Sequence, residues 1–228
     1  MTRNRISLFI IALLLGVTAI SPTWAKKKLP EFNDEGMQLV KDSELATVYA
    51  DPGADLGIYT RIMLLDATVA FKKNWKRDQN RGAGSMRVKD SDMEKIKDSV
   101  SELFAEVFTK ELIDGGYEIT DQPGEDVLLL KPAIIDLDVH APDIPTAGRT
   151  YSYSESAGEM TLNLELFDSL TNDKIAKATD RKRDYRAGYL EWRTRVSNRA
   201  DAKRMMASWA KAFRSTLDEA RSATSVTK

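Results

Sequence analysis

Alternating apolar and polar positions predict two consecutive β-strands in the stretch 126–170, and the turn that follows them predicts a returning third strand up to residue 185. In the first of them, 126–140, every second residue from Val127 to Val139 is apolar at six of seven places. The other parity begins apolar, with Leu128 and Leu130, and becomes acidic towards its end. A period of two with one apolar face is typical of a half-buried strand. Pro132 has no N–H to donate, so near this residue we expect the strand to lie at the edge of the sheet or to contain a bulge.

The second strand, 156–170, alternates more regularly and leads into a turn. Its apolar parity contains Met160, Leu162, Leu164, Leu166 and Leu170. Thr171-Asn172-Asp173 supplies side chains that bond their own backbone, which predicts a tight turn. The returning strand, 174–185, is polar at nearly every residue. We therefore expect the return strand to lie at the edge of the sheet, where its charges would deter aggregation.

Two helices and one earlier strand are predicted around these strands. Alternation also marks 59–72 as a strand, and 73–90 follows it as a basic loop containing Gly82 and Gly84. Ser91 and Glu94 form a capping-box pattern that predicts the start of a helix, and Gly115-Gly116 predicts its end. Residues 117–120 are expected to add a short strand. Apolar residues at helical spacing predict a closing helix over 198–223.

This order of elements predicts an α+β fold, with a mainly antiparallel sheet and two helices packed on one face. The first 25 residues lie outside that fold. Arg3 and Arg5 precede a short apolar run that ends in small residues up to Ala25. This pattern predicts a secretory signal peptide cleaved after Ala25. The predicted organisation is a signal peptide at 1–25, an arm over the domain surface at 26–52, one α+β domain at 53–223 and a disordered tail at 224–228.

Composition narrows the classes of function. The chain has no cysteine, which excludes a disulfide scaffold and gives no lipid attachment site at the end of the apolar run. Removal of Arg3 and Arg5 with the signal takes the formal net charge from −1 to −3. A charge this close to neutral argues against a dedicated nucleic-acid binder. We expect a periplasmic protein that is not a lipoprotein.

Three stretches resemble a family of bacterial envelope proteins. They read YADPGADLGIYTRIMLLDATV at 49–69, LLLKPAIIDLDV at 128–139 and LNLELFDSLTNDKIAKATDRK at 162–182. This wording resembles the domain-of-unknown-function family numbered 3313, whose members are often lipoproteins. The resemblance implies no established activity and carries over no catalytic residue. The chain differs from the common pattern in lacking the lipid-accepting cysteine, which bears on membrane tethering rather than on the fold.

Candidate catalytic residues are few, and each has a plain structural interpretation. His140 is the single histidine, so no set of imidazoles or thiolates accompanies it for zinc. The surroundings of Ser85 do not match a nucleophile elbow. Glu165 is expected to pair with a lysine or arginine of the hairpin, and Asp168 to brace the turn; Glu159 is the third carboxylate of this strand. We predict no catalytic residues, no metal site and no cofactor.

The segment 177–204 is the compositional outlier, with ten basic and four acidic residues. Tyr185, Tyr189 and Trp192 are interspersed among its charges. Arg181 and Arg183 share a strand face and Arg186 follows the strand, which makes these three the candidate anion-binding residues. The other interpretation is a solvated edge strand and loop.

Three functions remain open on sequence alone. The favoured one is a non-enzymatic structural or interaction module of the envelope. The alternative is a binding module for an anionic envelope ligand, namely phospholipid, lipopolysaccharide or acidic glycan. An exported hydrolase is the weakest. Expected partners are therefore an envelope protein or an anionic envelope component, with no nucleic acid and at most peripheral membrane contact.

Overall fold

The computed structural model describes residues 29–81, 87–139, 152–154, 158–183, 191–193 and 195–226. Three α-helices lie within these residues: α1 (Trp75–Gln79), α2 (Asp90–Asp114) and α3 (Arg195–Val226). Its strands are β1 (Gln38–Leu39), β2 (Thr47–Ala50), β3 (Arg61–Leu64), β4 (Thr68–Phe71), β5 (Glu118–Ile119), β6 (Val127–Val139), β7 (Ser152–Ser154), β8 (Gly158–Asp168), β9 (Lys174–Arg183) and β10 (Glu191–Arg193). The three predicted central strands are confirmed as β6, β8 and β9.

The main sheet has eight strands within the described residues, and it is mixed rather than mainly antiparallel. Strands β1, β2, β9, β8 and β6 follow one another as antiparallel neighbours. Strands β3 and β4 both run parallel to β6, and β5 runs parallel to β3. The prediction failed here because strand direction depends on where the connection crosses, which alternation does not encode. Strands β7 and β10 form a separate antiparallel pair.

Helices α2 and α3 pack together against one face of the sheet, as predicted. Phe104 and Phe108 of α2 and Trp209 of α3 are fully buried in a single core with the strands. Leu162 and Leu164 of β8 are 1% exposed and belong to the same core. Because a strand alternates its side chains, Asn163 and Glu165 of β8 lie on the opposite face.

Between Leu128 and Ile134, strand β6 buries the parity that the sequence pattern did not favour. Leu128, Leu130 and Ile134 are fully buried, whereas Leu129 and Ile135 are only half-buried. The pairing of β6 with β8 shifts between Ile135 and Asp138, and Asp136 there has a φ of 51°. This bulge moves Leu137 onto the buried face, so a single parity cannot describe the strand.

Pro132 lies in the interior of the sheet, opposite an interruption in the neighbouring strand. The predicted strand 59–72 is divided into β3 and β4, with residues 65–67 between them. Leu130 pairs with Leu64, and Ala133 pairs with Thr68. Pro132 therefore faces the break between β3 and β4, where its missing N–H costs no ladder hydrogen bond.

The return strand β9 is not an edge strand, because the predicted N-terminal arm forms part of the sheet. β2 pairs along Ala176–Thr179 of β9, and β1 pairs with β2. The 26–52 segment therefore contributes strands rather than lying over the surface, and within the described residues β1 is the outer strand on that side. At the other end of the chain, α3 continues to Val226 and includes residues 224–226 of the predicted tail.

Two local predictions at the first helices are corrected. Residues 75–79 of the expected basic loop form α1, whose Trp75 is 3% exposed and stacks on Phe71. Helix α2 begins at Asp90 rather than after Ser91, and the Asp92 carboxylate accepts a hydrogen bond from the Lys89 N–H. The stop at Gly115 is as predicted.

Candidate functional site

Of the three candidate arginines, Arg181 is already engaged within the fold. Arg181 on β9 lies with its Nη2 2.5 Å from Oε1 of Glu159 on β8. Arg183 is the register partner of Glu159 in the same ladder. Arg186, together with Tyr185 and Tyr189, lies outside the described residues. Binding of an anion by Arg181, Arg183 and Arg186 stays a prediction.

Glu159 is the centre of a buried polar cluster. It is 7% exposed, and besides Arg181 it contacts Lys72, whose Nζ lies 3.4 Å from Oε1. The same ammonium lies 2.8 Å from Oδ2 of Asp138. Hydrogen bonding to Arg181 holds the pKa of Glu159 below its usual value, and Asp138 first and then Glu159 raise the pKa of Lys72. The cluster therefore brings two carboxylates and two cations into contact, and the pKa shifts of Glu159 and Lys72 both favour the charged form.

The backbone beside this cluster needs a glycine. Gly158 begins β8 with a φ of 133°, a conformation that side-chain-bearing residues rarely adopt. A Cβ at this position would overlap the carbonyl oxygen of Asp138. The close approach of the two strands brings Glu159 into reach of Lys72 and Asp138.

The other two carboxylates considered for catalysis have the structural roles predicted for them. Glu165 lies 2.9 Å from Nζ of Lys174 across the hairpin. Oδ1 of Asp168 accepts the backbone N–H groups of Leu170 and Thr171 at 2.9 and 2.8 Å, so it braces the turn. Oδ2 of Asp168 accepts the hydroxyl of Tyr59, and burial together with this bond raises the pKa of Tyr59 to about 12.

A salt bridge missed in the sequence joins β3 to the start of β6. The Arg61 guanidinium bonds both carboxylate oxygens of Asp126, with Nη2 2.5 Å from Oδ1. Hydrogen bonding to Arg61 and to the Thr60 hydroxyl holds the pKa of Asp126 far below its usual value. Only the parallel pairing of β3 with β6 brings these two residues together.

A groove of about 580 Å³ lies between β4, α1 and the first turns of α2. Its lining residues are Val69, Ala70, Phe71, Lys72, Lys73, Asn74, Trp75, Lys76, Arg77, Met93 and Lys97. Five of these carry a positive charge and none carries a negative charge. The basic composition of 73–90 was visible in the sequence, but Trp75 was the sole sign that this loop folds onto the core. The proximity of Met93 and Lys97 is a product of the tertiary fold.

The remaining candidates fall outside what the structure covers. His140, Ser85 and the predicted cleavage site after Ala25 lie outside the described residues. Among the described residues, no group of three or more metal-ligating side chains is close enough to hold a metal ion. No helix in the same part of the chain has the length and apolar character needed to cross a bilayer.

Several bacterial structures resemble this chain at low sequence identity. A PelC dodecamer from Paraburkholderia phytofirmans shares 12% identity, covers 73% of this chain and 97% of its own, and gives a TM-score of 0.37. A DUF330 protein from Xanthomonas campestris shares 12% identity over 78% and 94% of the two chains, with a TM-score of 0.35. A candidate lipoprotein from Caulobacter crescentus shares 10% identity over 76% and 95%, with a TM-score of 0.34. With scores below 0.5, these similarities establish no shared activity.

The sequence identifies the family more clearly than these structural similarities do. No curated protein matches the chain. The family model described as "Protein of unknown function (DUF3313)" matches residues 32–213, which include all the central strands, helix α2 and most of helix α3. The match confirms the resemblance carried by the three quoted stretches, and the chain belongs to the DUF3313 family.

Proposed function

We propose that this protein is an exported, non-enzymatic interaction module of the bacterial cell envelope. One observation carries the non-enzymatic part. The three carboxylates that a hydrolase would have used are acceptors within the fold: Glu159 for Arg181, Glu165 for Lys174 and Asp168 for the turn backbone. A general acid must carry a proton near neutral pH. The pKa values of Glu159 and Asp168 are instead lowered by their partners.

The proposed location of this module is the periplasm, without a lipid anchor. The support is the N-terminal pattern of Arg3 and Arg5, an apolar run and Ala25, together with the lack of cysteine in the whole chain. An apolar run of about 15 residues is short for a membrane span, which needs roughly 20.

One experiment on whole cells tests both the proposed location and the proposed interaction. A photoreactive residue is placed at exposed Lys131 on β6 or at exposed Lys95 on α2, on opposite sides of the sheet. We expect the osmotically released protein to have the mass of a chain beginning at Lys26. We also expect discrete envelope crosslinks from one position but not from the other, because an interaction module presents one face to its partner. A protein that keeps residues 1–25 contradicts the proposed export to the periplasm. Equal crosslinking from both positions, or none from either, contradicts the proposed interaction module.

The alternative, an anion-binding surface over 177–204, draws its support from the excess of basic residues in that segment. The contact between Arg181 and buried Glu159 weakens it, because that guanidinium already neutralises a carboxylate. A variant with Arg181, Arg183 and Arg186 all changed to glutamine would then lose stability as well as any ligand. An exported hydrolase remains the weakest candidate.

A further inference from the structure

The floor of the groove between β4, α1 and α2 is apolar. Phe71 and Trp75 stack with ring centroids 4.2 Å apart and an interplanar angle of 25°. The Trp75 indole Nε1 donates to the carbonyl oxygen of Val139 at 3.2 Å, which ties α1 to the end of β6. Val69 and Met93 complete the floor from β4 and α2. Because Trp75 is 3% exposed, it supports the floor from within the core, and the accessible apolar surface comes from Val69, Phe71 and Met93, which are half-buried.

Four cations around this floor are available to a ligand. Lys73 is exposed and has no ion-pair partner within the described part of the chain. Lys76, Arg77 and Lys97 pair with Asp90, Asp78 and Glu94, at 2.6, 3.1 and 2.9 Å. Those three carboxylates are each at least half exposed, and such surface pairs are weak enough to be exchanged for a ligand. Lys72 is set apart, because Asp138 and buried Glu159 already hold its ammonium.

We infer that this groove binds the headgroup region of an anionic phospholipid. The phosphate would be held by Lys73, Lys76, Arg77 and Lys97, and the adjoining apolar part of the lipid would lie on Val69, Phe71 and Met93. A ligand with a negative charge but no apolar part would leave the apolar floor uncovered. A neutral apolar ligand would leave the four cations unused. A volume of about 580 Å³ lies within the range of roughly 300–1,000 Å³ that is usual for small-molecule sites.

This inference goes beyond the proposed role as a module. It concerns a site different from the 177–204 segment. Experiments on purified protein can test it whatever the location of the protein in the cell. Cations next to an anionic lipid surface each strengthen binding roughly fivefold, and that attraction weakens as salt screens it. Loss of four cations should therefore weaken binding by about 600-fold.

The experiment measures binding of the full chain to vesicles of phosphatidylglycerol and of phosphatidylcholine, at low and high salt. We expect the parent to bind the anionic vesicles selectively at low salt. The variant K73Q/K76Q/R77Q/K97Q should bind those vesicles about 600-fold more weakly. The matched variant K41Q/K110Q/K131Q/K211Q removes four exposed cations outside both the groove and the 177–204 segment, and it should bind within about twofold of the parent. All three chains share one N-terminus, so the apolar start cannot account for a difference between them.

A second arm separates lipid from soluble polyanion. Met93→Gln makes the floor polar without changing charge, so it should weaken vesicle binding and leave any affinity for inorganic polyphosphate unchanged. Circular dichroism and melting confirm that each variant is folded. Equal losses in the two quadruple variants would show non-specific attraction, and binding of polyphosphate without vesicles would show a polyanion site. Either result, or no binding by the folded parent, overturns the inference.

Discussion

At the scale of single residues, the ion pairs around Glu159 determine how the ends of β6, β8 and β9 are joined. Its side chain is 8% exposed, whereas that of Arg181 is 62% exposed. The carboxylate therefore depends on its partners more than the guanidinium does, since an unpaired charge out of water is costly. Nζ of Lys72 lies 3.4 Å from Oε1 of Glu159, which is farther than Nη2 of Arg181 at 2.5 Å.

The first prediction is that Arg181→Gln destabilises the protein without any ligand being present. Glu159 would lose its closest charged partner while remaining buried, which should lower the free energy of unfolding by about 1–3 kcal/mol. The measurement is urea unfolding followed by circular dichroism at neutral pH.

Its control is Lys131→Gln, an exposed cation on β6. That change should stay within about 0.5 kcal/mol of the parent. The double variant E159Q/R181Q should recover part of the loss, because it removes the buried charge along with its partner. Equal stability of the Arg181 and Lys131 variants would show that the guanidinium does not support the fold.

At the scale of elements, docking of α3 onto the sheet depends on apolar contact and one buried hydrogen bond. Leu164 of β8 and Trp209 of α3 are 1% and 0% exposed, so the predicted burial of both is confirmed. The Trp209 indole Nε1 donates to Oδ2 of Asp180 on β9 at 2.7 Å. That bond satisfies a polar atom that would otherwise be buried alone and orients the helix across β9.

The second prediction is that Leu164→Ala and Trp209→Ala each cost about 2–5 kcal/mol of unfolding free energy, because each leaves a cavity in a packed core. Leu170→Ala serves as the control, since Leu170 lies at the turn and is 56% exposed. The midpoint of thermal or urea unfolding measures all three. If the two core variants have the same unfolding midpoint as the Leu170 variant, helix α3 is not docked on this face.

At the scale of the whole molecule, residues 29–50 close one side of the sheet. The backbone N–H of Ala46 donates to Asp180, and that of Asp51 donates to the carbonyl of Ile175. Met37 and Tyr49 in this segment are 5% and 8% exposed. Without it, β9 would present unpaired backbone groups along an exposed edge, which favours association between chains.

The third prediction compares two truncated chains. A chain that begins at Gly53 should form multimers and unfold at lower denaturant concentration, because β9 becomes an edge strand. A chain that begins at Leu29 keeps β1 and β2 and should behave as the parent does. Size-exclusion chromatography with light scattering distinguishes the two. Identical elution of both chains would show that β1 and β2 are dispensable for covering β9.

Local chemistry was sufficient to predict most elements and part of the site. Alternation located β6 and β8, because the side-chain period of a strand is a property of the strand itself. The turn at residues 171–173 located β9, because a tight turn returns the chain beside the strand before it. Asp168 as the brace of the turn and Glu165 as a hairpin partner also followed from sequence, since both contacts lie within one hairpin. The family, too, could be identified from the wording of these strands, and the match over residues 32–213 confirms it.

What only the tertiary structure decided depends on residues far apart in the chain. The change of buried parity that brings Leu137 of β6 into the core follows from a bulge at Asp136, and bulges arise from pairing between strands rather than from one strand's pattern. β9 lies inside the sheet because β2, more than 100 residues earlier in the chain, pairs with it. The direction of β3 and β4 depends on which way their connections cross. The groove likewise exists because β4 and α1 are folded against Met93 and Lys97 of α2, and no local pattern records that contact.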